Sequence, residues 1–192
     1  MAAAPRHREK IVRSAAVLFR RQGYAGTGTS QILTVSGAPR GSLYHYFPQG
    51  KEQIGQAAIE YAGDLVTGTL ARLTEQRPTP GDVLREYGRL LAGWLQDSDY
   101  RDGCPITTTL LELAPESEGV SAAGRRAFAA WTATLEQALL AAGADPVRAP
   151  RLASLAIAAL EGALVLARVQ QDSTVVTDAA DDVADLFDAA TR

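Results

Sequence analysis

A chain of 192 residues with 46% hydrophobic content has the length for one or two compact domains and the apolar material for a real core, which excludes a disordered chain. Its single cysteine, Cys104, excludes an intrachain disulfide framework, and the opening Met1-Ala2-Ala3-Ala4-Pro5 runs into charge rather than an apolar stretch, unlike a secretory leader, so a cytoplasmic location is expected. The net charge of −3 conceals a segregation: residues 1–52 hold eight Lys/Arg against two acids, a local +6, so the remainder carries −9. A positive end can neutralise phosphates while an acidic bulk is repelled from a polyanion, which favours docking on a nucleic acid by that end.

Helical periodicity runs through the whole chain and no strand pattern competes with it, so an all-α fold is expected. Ile11, Val12, Ala15, Leu18 and Phe19 form an apolar stripe ending at Gly23, which predicts a first helix closed by a glycine cap, with His7 in a disordered tail ahead of it. The segment from Thr29 to Lys51 then reads as two short helices joined by a tight turn. Ile32, Leu33 and Val35 supply the apolar positions of one, and Ser36-Gly37-Ala38-Pro39 breaks it. Proline is tolerated where a helix begins, so the second opens near Pro39 or Arg40. In that register Leu43 and Phe47 fall four apart on one face, and Arg40, Tyr44 and His45 point elsewhere.

A long helix is expected from about Lys51 to Arg77, offering Ile54, Ala58, Tyr61, Leu65, Leu70 and Leu73 for burial and stopping before Pro78-Thr79-Pro80-Gly81. Val83, Leu84, Tyr87, Leu90, Leu91, Trp94 and Leu95 keep steps of three and four, predicting a further helix that ends near Asp97-Ser98-Asp99. A shorter helix follows Gly103-Cys104-Pro105, from Ile106 to Leu113. Another runs from about Glu118 to Ala142 with Phe128, Trp131 and Leu135 on one face. The penultimate helix, about Pro150 to Asp172, is dense in Ala153, Ser154, Ala156, Ala158, Ala159, Gly162 and Ala163, a smooth face that permits close approach. Its most apolar stretch, Leu152 to Leu160, is stopped by Glu161 and Arg168, short of the roughly 18 residues a bilayer crossing needs, so no membrane partner is expected. The last helix, about Thr174 to Thr191, puts Val176, Ala179, Ala180, Val183, Phe187 and Ala190 on one stripe. These two stripes meet either the same chain or a symmetry mate, with a homodimer the favoured reading.

The string Gly37-Ala38-Pro39-Arg40-Gly41-Ser42-Leu43-Tyr44-His45-Tyr46-Phe47, preceded by Gly23-Tyr24 and Thr29-Ser30 and followed by Lys51-Glu52, resembles the DNA-binding domain of the tetracycline-repressor (TetR) family of bacterial regulators. The Phe47-Pro48-Gln49-Gly50-Lys51-Glu52 join and the later Gly103-Cys104-Pro105-Ile106 resemble its LmrA/YxaF-like branch in particular. The motifs cover the first quarter to third of the chain. The resemblance implies a three-helix DNA-binding domain with a helix-turn-helix over residues 1–52, a helical ligand-binding and dimerisation domain over 53–192, and a four-helix bundle between protomers. It also implies a repressor that leaves a palindromic operator when a small hydrophobic or aromatic effector binds.

For contact with double-stranded DNA the candidates are Thr29, Ser30, Pro39, Arg40, Gly41, Ser42, Tyr44, His45, Tyr46 and Lys51. Thr29 or Ser30 is expected to cap the first reading helix and can donate to phosphate; Arg40 suits a guanine edge or a phosphate, Tyr44 and His45 suit phosphate, and Gly41 admits close approach of the backbone. Of these, Thr29, Arg40, Gly41, Tyr44, His45 and Lys51 match contact positions of the resembled family. For an effector the candidates are Tyr61, Tyr87, Trp94, Thr107, Thr108, Leu111, Glu112, Phe128, Trp131 and Glu161, an aromatic set with mid-helix acids as orienting groups in apolar surroundings. A body that binds a partner protein instead of a metabolite is the alternative. No cofactor, metal or enzymatic role is expected: the only histidines, His7 and His45, leave Cys104 without an imidazole to activate it. Cys104 reads as a small buried hydrophobe, with a redox-sensing thiol as the sharper alternative.

Overall fold

The computed structural model describes residues 6–192, and among them every regular element is a helix. In chain order these are α1 (Arg6–Gln22), α2 (Thr29–Ser36), α3 (Arg40–Tyr46), α4 (Lys51–Gln76), α5 (Pro80–Asp97), α6 (Pro105–Leu113), α7 (Glu118–Ala141), α8 (Ala149–Gln170) and α9 (Thr174–Ala190). Local chemistry sets the boundaries. Gly23 adopts φ +79°, and its N–H donates to the Phe19 carbonyl at 2.9 Å, closing α1. His7 lies inside α1 rather than in a tail. Thr79 caps α5 by accepting the Asp82 N–H at 3.0 Å, with Pro80 at the first helical position, so α5 starts a turn before its apolar stripe. Neither Thr29 nor Ser30 caps α2: Gly28 occupies the capping position, and both residues already lie within the helix.

The helices form two compact units. The first comprises residues 6–64 with Cys104–Ala127, so α6 and the first half of α7 join α1–α3, and the contact boundary does not coincide with a division at residue 52. Its core contains Ile11, Ala15, Phe19, Ile32, Leu43, Phe47, Ile54 and Ala58, with Ile106, Thr109, Val120 and Ala123 also buried. Glycine permits close helix approach here: a Cβ at Gly63 would stand 2.9 Å from the Ala127 Cβ.

The second unit comprises Leu65–Gly103 and Phe128–Arg192. Val83, Leu84, Tyr87, Leu91 and Leu95 of α5 are buried with Val176, Ala180, Val183 and Phe187 of α9. Gly88 lets these helices touch, since a Cβ there would lie 2.4 Å from the Ala180 Cβ. At one end Arg85 donates to Asp185 at 2.6 Å and Asp188 at 2.9 Å; at the other, Gln96 donates to Ser173 at 2.8 Å. The α9 stripe expected to face a symmetry mate is thus consumed within the chain. Two residues expected in helix cores are also displaced, Leu65 and Trp94 being 54% and 48% exposed.

Helix α8 is, by length and composition alone, long and apolar enough to cross a membrane, contrary to the reading that Glu161 cuts its apolar stretch short. Leu152, Ala156, Leu160, Ala163 and Ala167 bury one side of it in the unit. Its other side carries Leu155, Ala158, Gly162, Val165, Leu166 and Val169, all exposed.

Candidate nucleic-acid interface

The candidate reading surface is built on the first unit. Ile32 of α2 and Leu43 of α3 are buried, and Phe47 anchors the exit, its N–H donating to Leu43 O at 2.7 Å. The turn between the helices depends on Gly37 at φ +62° and on Ser36, whose hydroxyl donates to Leu33 O at 3.1 Å and accepts the Ala38 N–H at 3.3 Å. With the apolar side of α3 buried, its other side faces outward: Pro39, Arg40, Gly41, Tyr44 and His45 are exposed, and Tyr44 is 67% so. A shallow depression between the two helices is lined by Thr29, Ser30, Thr34, Arg40 and Tyr44. A Cβ at Gly41 would meet no atom within 4 Å, so nothing inside the protein demands glycine there. What glycine leaves open is the outside.

Ser30 is exposed, while Thr29, Ser42 and Tyr46 are half-buried. The His45 and Tyr46 rings meet edge to face with centroids 4.8 Å apart. Lys51, at the start of α4, holds its ammonium 4.1 Å from the centre of the Tyr24 ring. Burial lowers the Lys51 pKa from its usual value, while the Glu112 carboxylate acts in the opposite sense. Burial, followed by the charges of Glu52 and Glu112, raises the Tyr24 hydroxyl. The arrangement presents hydrogen-bond donors, a guanidinium and an open backbone on a short helix fixed from behind by buried aliphatic and aromatic side chains. Such a helix can enter a major groove and meet base edges and phosphates.

The ten residues considered for an effector are divided between the two units. Tyr61, Thr107, Thr108, Leu111 and Glu112 belong to the first unit, and Tyr87, Trp94, Phe128, Trp131 and Glu161 to the second. In the first unit Arg13 stands over the Tyr61 ring at 5.8 Å, Thr107 is half-buried, and Leu111 is 79% exposed. The Thr108 hydroxyl donates to Cys104 O at 3.0 Å and Phe19 O at 3.2 Å. Glu112 is not in apolar surroundings; it is exposed, and its oxygens accept the Tyr24 and Ala25 N–H groups at 2.7 and 2.6 Å. In the second unit Tyr87 and Trp131 are buried, Phe128 packs edge-on against Trp131 at 5.2 Å, and Glu161 is half-buried. An open depression in that unit, lined by Thr74, Arg77, Pro78, Val83, Thr134 and Gln137 among others, involves none of the ten. Cys104 is half-buried at the N-cap position of α6 rather than a buried hydrophobe.

Sequence reasoning missed Tyr24 and the role of Glu112. Gly23-Tyr24 stood in the sequence only as part of a family motif, and Glu112 is 88 positions from its partner, too far for a local signature.

The chain resembles known proteins along most of its length. Residues 11–58 match the bacterial regulatory proteins of the tetR family, and residues 80–182 match the C-terminal domain of LmrA/YxaF-like transcriptional regulators. An uncharacterized HTH-type transcriptional regulator of Mycobacterium tuberculosis strain H37Rv is 38% identical over 172 residues, covering 87% of each chain. The HTH-type transcriptional regulator LmrA of Bacillus subtilis is 31% identical over 94% of this chain and 96% of its own. A TetR transcriptional regulator of Chloroflexus aurantiacus has a solved structure that superposes with a TM-score of 0.76 at 31% identity, covering 95% of this chain and 94% of that one. The chain belongs to the TetR family of transcriptional regulators, in its LmrA/YxaF-like branch.

Proposed function

We propose that the protein is a homodimeric repressor that reads a palindromic operator with α2 and α3 and releases it when a small hydrophobic or aromatic molecule binds its second unit. The observation that carries the DNA-reading part is the outward side of α3, with Arg40, Gly41, Tyr44 and His45 exposed on a helix whose Leu43 is buried. Arg40 takes a guanine edge or a phosphate. Tyr44, His45 and the hydroxyls of Thr29, Ser30 and Ser42 hold phosphates, Pro39 and Tyr46 pack against the backbone, and Lys51 reaches phosphate at the rim beside the Tyr24 ring. Regulation in the negative sense is supported by the name of a 25% identical relative, the transcriptional repressor DhaR of Mycobacterium sp. strain GP1.

The two-fold symmetry of a palindrome calls for a two-fold protein, and the exposed apolar side of α8 is the surface that supplies it. Leu155, Val165, Leu166 and Val169 stand there with Ala158 and Gly162 between them, flanked on α9 by Leu186. The aromatic material of the second unit, Tyr87, Trp94, Phe128 and Trp131 with Glu161, is where an effector is recognised. The effector must prefer a form in which the two reading heads are mis-spaced for successive major grooves, and by linkage the operator then weakens the effector equally.

The test is selection of a duplex from a random library by the full-length protein, followed by titration over a range of salt. The expected result is an enriched palindrome whose log affinity falls linearly with log salt, by about 0.9 per phosphate neutralised. Arg40→Ala should relax sequence preference or reduce that slope with the fold intact. A library that yields no enriched palindrome, or an Arg40→Ala protein with unchanged preference and slope, sinks the reading.

A further inference from the structure

A carboxylate on the first unit is electrostatically out of place if that unit meets a polyanion, because it opposes phosphate binding. Glu112 is such a group. It stands on α6, yet both of its oxygens are engaged by the loop between α1 and α2, Oε1 accepting the Tyr24 N–H at 2.7 Å and Oε2 the Ala25 N–H at 2.6 Å. The loop is shaped around it. Gly23 sits at φ +79°, and a Cβ there would come within 2.6 Å of Glu112 Oε1, so any other residue would push the carboxylate away. Two further bonds stiffen the same loop: the fully buried Thr27 donates its hydroxyl to Gly23 O at 2.7 Å, and the Gln22 amide donates to Gly26 O at 2.7 Å.

What this loop positions is the reading surface. It leads directly into α2, whose first bond runs from the Ile32 N–H to Gly28 O at 3.1 Å. The Tyr24 ring lies 5.3 Å from the Phe19 ring, closes on the backbone of α4 where Gly55 leaves room for it, and carries the Lys51 ammonium on its face. Moving Tyr24 therefore moves the loop before α2 and the cation at the start of α4 together. We propose that Glu112 is a positioning residue for DNA reading: through its carboxylate, α6 fixes the α1–α2 loop and, with it, the placement of α2 and Lys51. This rests on the DNA-reading function proposed above. Glutamine cannot replace it, because an amide offers a single acceptor atom to two N–H donors and turns its own donors on the other.

The sign of the effect separates this role from that of an ordinary surface acid. Glu112→Gln should weaken binding to the selected palindrome by roughly tenfold, as expected for loss of a charge-assisted hydrogen bond. Binding to a random-sequence duplex of equal length should hold or strengthen, because a negative charge has gone. The salt slope on the palindrome should shrink by no more than about 0.9, the share of the one phosphate assigned to Lys51. Affinities for both duplexes that hold or rise together would overturn the proposal. Amide hydrogen exchange tests the clasp without reference to the operator: Tyr24 and Ala25 should be protected in the wild-type chain and exchange at least roughly tenfold faster in Glu112→Gln at unchanged helicity. Unprotected Tyr24 and Ala25 amides in the wild type would overturn the proposal even if the variant failed to fold. A wild type that selects no palindrome but shows that protection would sink the DNA-reading function and this role with it, while leaving the clasp itself standing.

Discussion

Replacing Leu166 with glutamate should convert the proposed dimer to a folded monomer, and the magnitude follows from the exposures on α8. Leu155, Val165, Leu166 and Val169 are 45%, 55%, 53% and 79% exposed, a little over two side chains' worth of open apolar surface in each protomer. Burying a Val or Leu side chain fully contributes roughly 1.5–3 kcal/mol, so covering this surface on both protomers contributes on the order of 7–14 kcal/mol. Association costs about 4–15 kcal/mol, so the interface has little surplus to lose. Two-fold symmetry introduces each substitution twice, removing two leucine contributions and burying two carboxylates without partners. A loss of at least ~3 kcal/mol is expected, more than a hundredfold in the dissociation constant. Sedimentation velocity at low micromolar concentration should find a dimeric wild type and a monomeric variant that keeps its far-ultraviolet helicity. The control is Phe187→Glu on the α9 stripe, where the side chain is 0% exposed within the chain; this protein should lose cooperative folding altogether. A dimeric Leu166→Glu protein, or a folded monomeric Phe187→Glu protein, would refute the reasoning and return the dimer face to the stripe of α9.

Gly88→Ala should lower stability by about 1–3 kcal/mol, because its new methyl would stand 2.4 Å from the Ala180 Cβ and force α5 and α9 apart. Thermal melts would show this, and the Ala180→Gly partner substitution should restore much of the loss; an unchanged midpoint for Gly88→Ala would mean the helices shift at no cost. Asp172 accepts the Thr174 N–H at 2.9 Å and the Thr174 hydroxyl at 2.8 Å, and these bonds hold its carboxyl below the ordinary 3.8. A depressed folded-state pKa stabilises above the unfolded value and is lost as pH falls through the folded one, so this contribution begins to decline near pH 3.8 and is lost at lower pH. Titration of the Asp172 carboxyl by NMR should give a midpoint under 3.8, and a midpoint at or above it would contradict the bonding.

The helices were legible because each boundary is written in local chemistry. Gly23 and Gly37 supply the left-handed residues that end α1 and α2, and Pro78, Pro105 and Pro150 stand at breaks or first turns. The outward side of α3 was legible for the same reason, since steps of four put Leu43 and Phe47 together and left Arg40 and Tyr44 opposite. Destinations of apolar stripes were not legible. The α9 stripe of Val176, Ala180, Val183 and Phe187 has the right spacing for burial, but spacing does not say against what, and Gly88 on α5 provides the partner surface from about ninety positions away. On α8 the small residues fall on both sides, so composition could not separate the buried Ala153 and Ala156 from the exposed Ala158 and Gly162. Glu112 failed for a related reason. An acid among Leu110, Leu111 and Leu113 reads as an orienting group in an apolar pocket, whereas its helix projects it onto the main chain of another loop.

Charge counted along the chain and charge counted in the fold also differ, and the difference bears on how the first unit can meet DNA. The basic excess of residues 1–52 is +6, but the compact unit also includes Glu60, Asp64 and the acids and arginines of residues 104–127, which bring it to ten basic against seven acidic residues, or +3. Two of these acids are matched by arginines of the same unit: Arg126 pairs with Glu60 at 2.7 Å and Arg125 with Glu118 at 2.6 Å. Opposite charges a few ångströms apart cancel beyond a Debye length of about 8 Å. With those two pairs cancelled, the eight basic residues of 1–52 stand against Glu9, Glu52, Asp64, Glu112 and Glu116, so the net +3 is carried by Arg40, Lys51 and the basic residues of α1, enough to attract phosphate to the proposed reading face even with the Glu112 carboxylate in the same unit.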